Sequence, residues 1–243
     1  MLNASAATHL LNRLLRDAAA GRFPSPDGAV AVVGQPPGRL AAVVAFTASH
    51  VVAADVDPDE VRARLAPGDL SAPLSTAFLA WLGQRIGWAA GSLDAVLVAP
   101  STGRSGGELL MPITAWDHPR VLRAHRYRSD LRLLSDRQRR AVVVIGRGLA
   151  GRWEVSLEID PSHRGAGLGR ALLTAARGVL PRGEPLFAQV APGNAASLRT
   201  FTAAGFVPIG AEVLFADPRR MTSSSRAAQD TTQSGHRRTT GAV

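Results

Sequence analysis

A glycine-dense segment in the second half of the chain has residue types suited to holding an anion. It reads Arg164-Gly165-Ala166-Gly167-Leu168-Gly169-Arg170 and joins an alternating apolar run to a segment with helical spacing. Glycines lack a Cβ, so the backbone can turn tightly and approach a ligand closely. Successive N–H groups and the N-terminus of the following helix can then hold a negative charge together. The segment therefore predicts a loop that binds a diphosphate group.

A second block, Ala191-Pro192-Gly193-Asn194-Ala195-Ala196-Ser197, is followed by Phe201 and by Gly205-Phe206. Asn194 stands where a strand gives way to a helix, so it can cap that helix or bind a ligand. The two blocks, in this order, resemble the GNAT acyltransferase superfamily. Its loop for the pyrophosphate of acetyl-CoA is R/Q-x-x-G-x-G/A, which Arg164, Gly167 and Gly169 match. The resemblance covers about residues 118–216, less than half of the chain.

This resemblance implies an N-acetyltransferase that moves the acetyl group of acetyl-CoA, its cosubstrate, directly to a primary amine. The amine acceptor is not identified by the sequence. The resemblance also implies that the acetyl thioester lies beside the strand that precedes the glycine loop, where backbone groups polarise its carbonyl. The implied contacts of acetyl-CoA are Leu157, Glu158, Ile159, Arg164, Gly165, Ala166, Gly167, Leu168, Gly169, Arg170, Asn194 and Ser197.

Two carboxylates on that strand are candidates for the general base that takes a proton from the amine. Polar and apolar residues alternate over Trp153–Ile159, which places Glu154 and Glu158 on one face, opposite the apolar side chains. They lie about 13 Å apart at the usual strand rise, too far to share a proton, but either could act alone. The alternative is that both are solvated positions on a half-exposed strand.

One position departs from the family pattern. Many members have a Tyr four residues before the Gly of the Gly-Phe pair, and its hydroxyl protonates the departing thiolate of CoA. Phe201 stands there and has no such proton. Water or Ser197 would then protonate the thiolate. The alternative function is a noncatalytic acyl-CoA sensor or interaction module.

A competing motif, Gly146-Arg147-Gly148-Leu149-Ala150-Gly151, has the G-x-G-x-x-G spacing of a dinucleotide-binding loop. That loop must open a helix. Here it leads into the alternating run Trp153–Ile159, which is typical of a strand. We therefore interpret Gly146–Gly151 as a hairpin turn.

Charge gives little information about partners. All 28 basic residues are Arg, and the formal net charge of +9 accompanies an Ala- and Gly-rich composition typical of codon bias. We interpret the densest arginine cluster as a solvated face, and nucleic-acid binding is the less favoured alternative. Tyr127 lies within this cluster and is interpreted as a packing residue. The cluster consists of Arg120, Arg123, Arg126, Arg128, Arg132, Arg137, Arg139 and Arg140.

Other classes are disfavoured. The absence of Cys excludes disulfides and thiolate chemistry and favours a cytoplasmic protein. The His residues lack metal-ligand spacing, so no metal is predicted. The stretch Leu10–Leu15 is interrupted by Arg13, which favours a docking helix over a signal peptide, and no apolar run is long enough to span a membrane. Nothing in the sequence indicates an oligomeric state.

Hydrophobic periodicity predicts an α/β protein, a mixed sheet with flanking helices. We predict an α/β extension in residues 1–117, a GNAT-like domain in residues 118–217 and a disordered tail in residues 218–243. The extension's strand-strand-helix-strand order also fits a degenerate second GNAT-like half.

Within the extension we expect a hairpin of Ala29–Gly34 with Leu40–Ala54, a helix over Leu74–Ile86 and a strand over Asp94–Ala99. In the second half, a strand is expected over Arg126–Leu134.

Overall fold

The computed structural model describes residues 9–104, 109–115 and 117–217. The predicted disordered tail, residues 218–243, lies outside the described residues. The helices are α1 Leu10–Ala19, α2 Pro58–Arg62, α3 Thr76–Ile86, α4 Pro119–Tyr127, α5 Leu168–Ala176 and α6 Ala195–Ala203. The strands are β1 Val30–Val33, β2 Leu40–Phe46, β3 Ser49–Ala53, β4 Ala89–Pro100, β5 Met111–Pro112, β6 Ser129–Ser135, β7 Ala141–Arg147, β8 Trp153–Ile159, β9 Pro185–Val190 and β10 Val207–Ala216.

These strands form one mixed sheet in the order β1-β3-β2-β10-β4-β9-β8-β7-β6-β5. Two neighbouring pairs within the described residues are parallel, β1 with β3 and β8 with β9. Strand β4 belongs to the predicted extension, yet it lies between β9 and β10 and is antiparallel to both. The mixed α/β sheet with flanking helices is thus the predicted fold class, and both parts of the sequence build it.

Helices cover both faces of the sheet around β8 and β9. On one face, α5 and α6 pack against apolar side chains that include Val143 and Val155. On the other face, α4 packs on Val144 through Val121, and α1 packs on β4, β9 and β10 through its buried Leu11. Because side chains alternate along a strand, neighbouring residues of β8 contact different helix layers. The predicted alternation of Trp153–Ile159 matches this arrangement.

The predicted hairpin of Ala29–Gly34 with Leu40–Ala54 is wrong. The second run contains two strands, which reverse at Thr47 and Ala48, and Ala48 has a left-handed φ of 49°. Strand β3 therefore lies between β2 and the edge strand β1, and it pairs in parallel with β1. The two strands stay paired along all of Val30–Val33, so they do not diverge.

The predicted strand over Arg126–Leu134 is also wrong at its start, because helix α4 runs to Tyr127. His118 caps this helix by accepting a hydrogen bond from the Arg120 N–H, and Pro119 occupies the first turn. Both are helix-start signals, but the arginines that fill the exposed side hid the apolar spacing of Val121 and Ala124.

The Gly146–Gly151 segment forms the predicted turn, since β7 and β8 are antiparallel neighbours. No helix within the described residues is long and apolar enough to cross a membrane.

Candidate active site

The two central parallel strands diverge and leave a cleft in the sheet. Strands β8 and β9 pair only at Trp153 with Leu186 and at Glu154 with Phe187. The opposite edge of β8 pairs with β7 along the whole strand, and that of β9 pairs with β4 in the same way. From Val155 onward, the facing edges of the two strands therefore have no strand partner among the described residues.

The cleft has a volume of about 630 Å³ and is open to solvent. It extends through the sheet, because its walls include α6 on one face and α4 on the other. Its lining residues are Ala89, Ala90, Gly91, Ser92, Asp94, Arg120, Arg123, Ala124, Tyr127, Arg128, Glu154, Val155, Ser156, Leu157, Gln189, Val190, Ala191, Asn194, Ser197, Phe201, Leu214 and Ala216. Residues from β4 are among them, so the extension contributes to the cleft.

The glycine loop lies between the diverging end of β8 and the N-terminus of α5. Gly165 and Gly167 have φ values of +82° and +79°, a backbone conformation that residues other than glycine rarely adopt. No atom of the described residues lies within 4 Å of the place where their Cβ atoms would be. Arg164 donates from Nε to the Ile159 carbonyl at 2.9 Å and so closes the loop. Residues 161–167 are exposed. The loop thus presents an open backbone surface at a helix N-terminus.

Gly169 has a different task. A Cβ at this position would lie 2.8 Å from Cγ2 of Thr200 and 3.0 Å from Cδ1 of Ile159. The missing side chain lets α5 approach both α6 and β8 closely. Of the other predicted loop residues, Ala166 lies in the turn before α5, and Leu168 and Arg170 lie in the first turn of α5.

The second sequence block reaches the cleft from the start of α6. Asn194 caps this helix, since its Oδ1 accepts from the Ser197 N–H at 3.1 Å, and both residues line the cleft. Phe201 is buried and packs edge-to-face on Phe206, with ring centroids 5.1 Å apart. The phenylalanine at the usual acid position is therefore part of the hydrophobic core.

Glu154 lies at the closed end of the cleft in a buried ionic network. Its Oε1 accepts from Arg152 Nε at 2.9 Å and from the Leu149 N–H at 3.2 Å, and its Oε2 accepts from Arg128 Nε at 2.8 Å. Arg152 also donates to Glu212 at 2.5 Å. Burial opposes the ionised form of Glu154, but the Arg152 and Arg128 charges outweigh it and lower its pKa. This geometry favours a structural role for Glu154 over the predicted role of general base.

The same network explains the second glycine motif. A Cβ on Gly148 would lie 2.2 Å from the Glu154 carboxyl carbon, so the turn has glycine where the carboxylate packs. The turn's own N–H at Leu149 binds that carboxylate. The anion held by the Gly146–Gly151 turn is thus a side chain of the protein itself.

Arg128 connects the two diverging strands. Besides Glu154, it donates to Ser156 Oγ on β8 at 3.0 Å and to Gln189 Oε1 on β9 at 3.1 Å. The amide nitrogen of Gln189 is buried and has no hydrogen-bond partner among the described residues. Its oxygen accepts from Arg128, so the amide nitrogen is a buried donor beside the cleft whose hydrogen bonds are not made within the described residues. The sequence interpretation of the arginine cluster as a solvated face missed this role of Arg128.

Glu158, the other predicted base, lies on the same face of β8 but nearer solvent. Its side chain is 38% exposed and accepts from Arg120 Nε at 3.1 Å. It is thus more accessible than Glu154.

Sequence reasoning missed the carboxylate of Asp94. It lies in the cleft on β4, and within the described residues no hydrogen bond or ion pair engages it. Burial and the nearby charge of Glu212 raise its pKa, while Arg123 acts in the opposite direction. An acid at the start of the apolar run Asp94–Ala99 was the available signal, but nothing in the sequence indicated that this strand enters the cleft.

Residues 155–214 match the model of a family described as FR47-like protein. No curated protein matches the chain. Solved structures similar to it include a GCN5-related N-acetyltransferase from Kribbella flavida, at 18% identity and a TM-score of 0.36, covering 58% of this chain and 63% of that one. Another is a putative GNAT-family acetyltransferase from Novosphingobium aromaticivorans, at 18% identity and a TM-score of 0.35, covering 53% and 66%. A conserved Staphylococcus epidermidis protein of unknown function is 13% identical, with a TM-score of 0.36 and coverage of 58% and 66%.

The chain thus spans 63% to 66% of the length of these proteins. The family match begins in β8 and ends in β10. The matched segment includes most of the diverging strand β8, the glycine loop and all of β9, and it lies within the region whose motifs predicted a GNAT-like fold.

Proposed function

We propose that this protein is an N-acetyltransferase that transfers the acetyl group of acetyl-CoA to a primary amine. The observation that carries the proposal is the opening between β8 and β9, which leads to a glycine loop with two left-handed glycines and free space above them. A diphosphate fits this place because backbone N–H groups and the α5 N-terminus favour anions. The unpaired edge of β8 at Leu157–Ile159 offers backbone groups to the pantetheine arm and to the thioester carbonyl.

Asp94 is the proposed general base, with Glu158 as the second candidate. Asp94 lines the cleft, no hydrogen bond or ion pair holds its carboxylate within the described residues, and its raised pKa lets it hold a proton more readily than an ordinary Asp. The leaving thiolate takes its proton from water or from Ser197, which lines the cleft at the first turn of α6.

Thermal unfolding with and without acetyl-CoA tests the binding part of this proposal. A ligand at about 100 times its Kd stabilises the fold by roughly 2.7 kcal/mol, which raises Tm by about 5–11 °C for a chain of this size. Gly167→Glu places a carboxylate in the loop and should abolish the shift. Gly21→Glu is the matched control, because Gly21 has the same φ of +79° in equally open space at the end of α1. Loss of the shift in both variants, or in neither, would contradict the loop assignment.

A noncatalytic acyl-CoA-binding module is the second candidate, favoured by Phe201 in the position of the usual acid. Release of free CoA on addition of amines separates the two. Acetyl-CoA binding without release of CoA supports the binding module.

A further inference from the structure

Among the described residues, two charged side chains of the cleft, those of Asp94 and Arg123, have no counter-charge bound to them. Most cleft-lining charges are paired, Arg128 with Glu154 at 2.8 Å and Arg120 with Glu158 at 3.1 Å. Asp94 and Arg123 also line the cleft, but neither forms a hydrogen bond or ion pair within the described part of the chain.

The two groups approach the cleft from different walls on the same face of the sheet. Asp94 of β4 pairs with Glu212 of β10. Its side chain lies on the same face of the sheet as those of Val96 and Val98, which pack with the apolar residues of α1. Arg123 lies on the exposed side of α4, on this same face. Its charge reaches Asp94, yet no ion pair joins them. The space between them therefore lies between a negative and a positive group.

We propose that the acetyl acceptor is a small amine that also carries an anionic group, a carboxylate or a phosphate, with its ammonium group at Asp94 and its anionic group at Arg123. This inference rests on the proposed acetyltransferase function. A guanidinium binds either anion with two parallel hydrogen bonds, and the carboxylate of Asp94 binds an ammonium. An acceptor with both charges can pair with Asp94 and Arg123 at the same time, whereas a diamine places a second cation beside the Arg123 guanidinium.

The reaction balances with these groups. Asp94 takes one proton from the ammonium, and the nitrogen lone pair of the amine attacks the acetyl carbonyl carbon. The C–N bond forms as the C–S bond breaks, and the sulfur leaves with the bonding electron pair. The second nitrogen proton passes through water to the thiolate, and Asp94 returns its proton to solvent. The products are the acetamide and free CoA, so no oxidant, reductant or metal is required.

Release of the CoA thiol by the full chain, with matched amines, tests this inference. The probes are 4-aminobutanoate, butylamine and 1,4-diaminobutane, together with phosphoethanolamine and ethanolamine, so that the carboxylate and phosphate arms are separate. We expect at least about tenfold higher kcat/KM for the anionic member of one series, since the loss of a hydrogen bond between charged groups exceeds the 1.4 kcal/mol that corresponds to a tenfold change.

Arg123→Glu should reverse this preference toward 1,4-diaminobutane, a change that a purely structural role would not cause. Arg126→Glu is the matched control, because Arg126 is exposed on the same helix but does not line the cleft. Asp94→Asn should lower kcat for every acceptor and leave the acetyl-CoA-dependent rise in Tm intact.

Equal or better use of butylamine or the diamine by the wild type would overturn the inference, as would an unchanged preference in Arg123→Glu. Those outcomes leave the acetyltransferase proposal standing. Release of CoA with none of the probes overturns the inference, and the absence of an acetyl-CoA shift in Tm would then overturn the proposed function as well.

Discussion

Replacement of Glu154 by Gln separates a structural from a catalytic role for the most buried carboxylate of the cleft. Gln keeps the shape of the side chain but removes the negative charge between Arg128 and Arg152, whose side chains are 9% and 1% exposed. The network then holds two guanidinium groups against the single carboxylate of Glu212. Removal of one partner from a buried ion pair costs about 3–5 kcal/mol, because the remaining charge is neither solvated nor balanced.

For a chain of this size each kcal/mol shifts Tm by about 2–4 °C, so Glu154→Gln should melt about 6–20 °C below the wild type. The matched control is Glu158→Gln, on the same face of the same strand. Its carboxylate is 38% exposed and has one guanidinium partner. Such pairs contribute about 0–1 kcal/mol, so Tm should fall by less than about 4 °C.

Differential scanning calorimetry of the apo protein measures both values, and CoA release measures activity at a temperature where both variants are folded. The reasoning would be refuted by a Glu154→Gln variant that melts within about 2 °C of the wild type, a shift of roughly 1 kcal/mol or less, and has lost kcat. That result would identify Glu154 as the base instead.

Two further predictions follow from Asp94 and Gly169. The folded-state pKa of Asp94 lies above its ordinary value of 3.8. The contribution of this group to stability is therefore largest at low pH and is lost as the pH rises through the raised pKa. Over the same pH range kcat should rise, because the base becomes ionised. Asp94→Asn should remove both dependences, and denaturant titrations and rate profiles across that window check this. Gly169→Ala should lower the free energy of unfolding by about 1–3 kcal/mol through overpacking, and Thr200→Ser should recover part of the loss by removing the Cγ2 atom that lies 2.8 Å from the new Cβ. Strictly additive effects in a double-mutant cycle would refute the proposed contact.

Local signals predicted the parts of the site that lie close together in the sequence. The alternation of Trp153–Ile159 gave the bounds of β8 as the structure has them, and Asn194 caps α6 as expected. These features depend on hydrogen bonds and periodicity within a few residues. The glycine loop belongs to the same class, since φ values near +80° at Gly165 and Gly167 favour glycine through local backbone sterics alone.

Long-range contacts account for what the sequence did not reveal. Alternation placed Glu154 on a polar face, but its partner Arg128 is separated from it by 26 positions, and Glu212 is 60 positions from Arg152. Asp94 enters the cleft only because β4 is inserted between β9 and β10. No local pattern encodes which strands become neighbours in a sheet, so the candidate base and the ionic network escaped prediction.

The insertion of β4 also bears on how the chain folds. Strand β10 has β2 and β4 as its neighbours, and both are made long before it. During synthesis the position between β2 and β4 therefore stays empty until β10 has been made. Such distant pairing makes folding slow, since loop-closure entropy is lost before the contacts form. A fragment that begins at residue 118 would lack both of the strands that flank β10, so the part of the chain after residue 117 is expected to fold only together with the segment that precedes it.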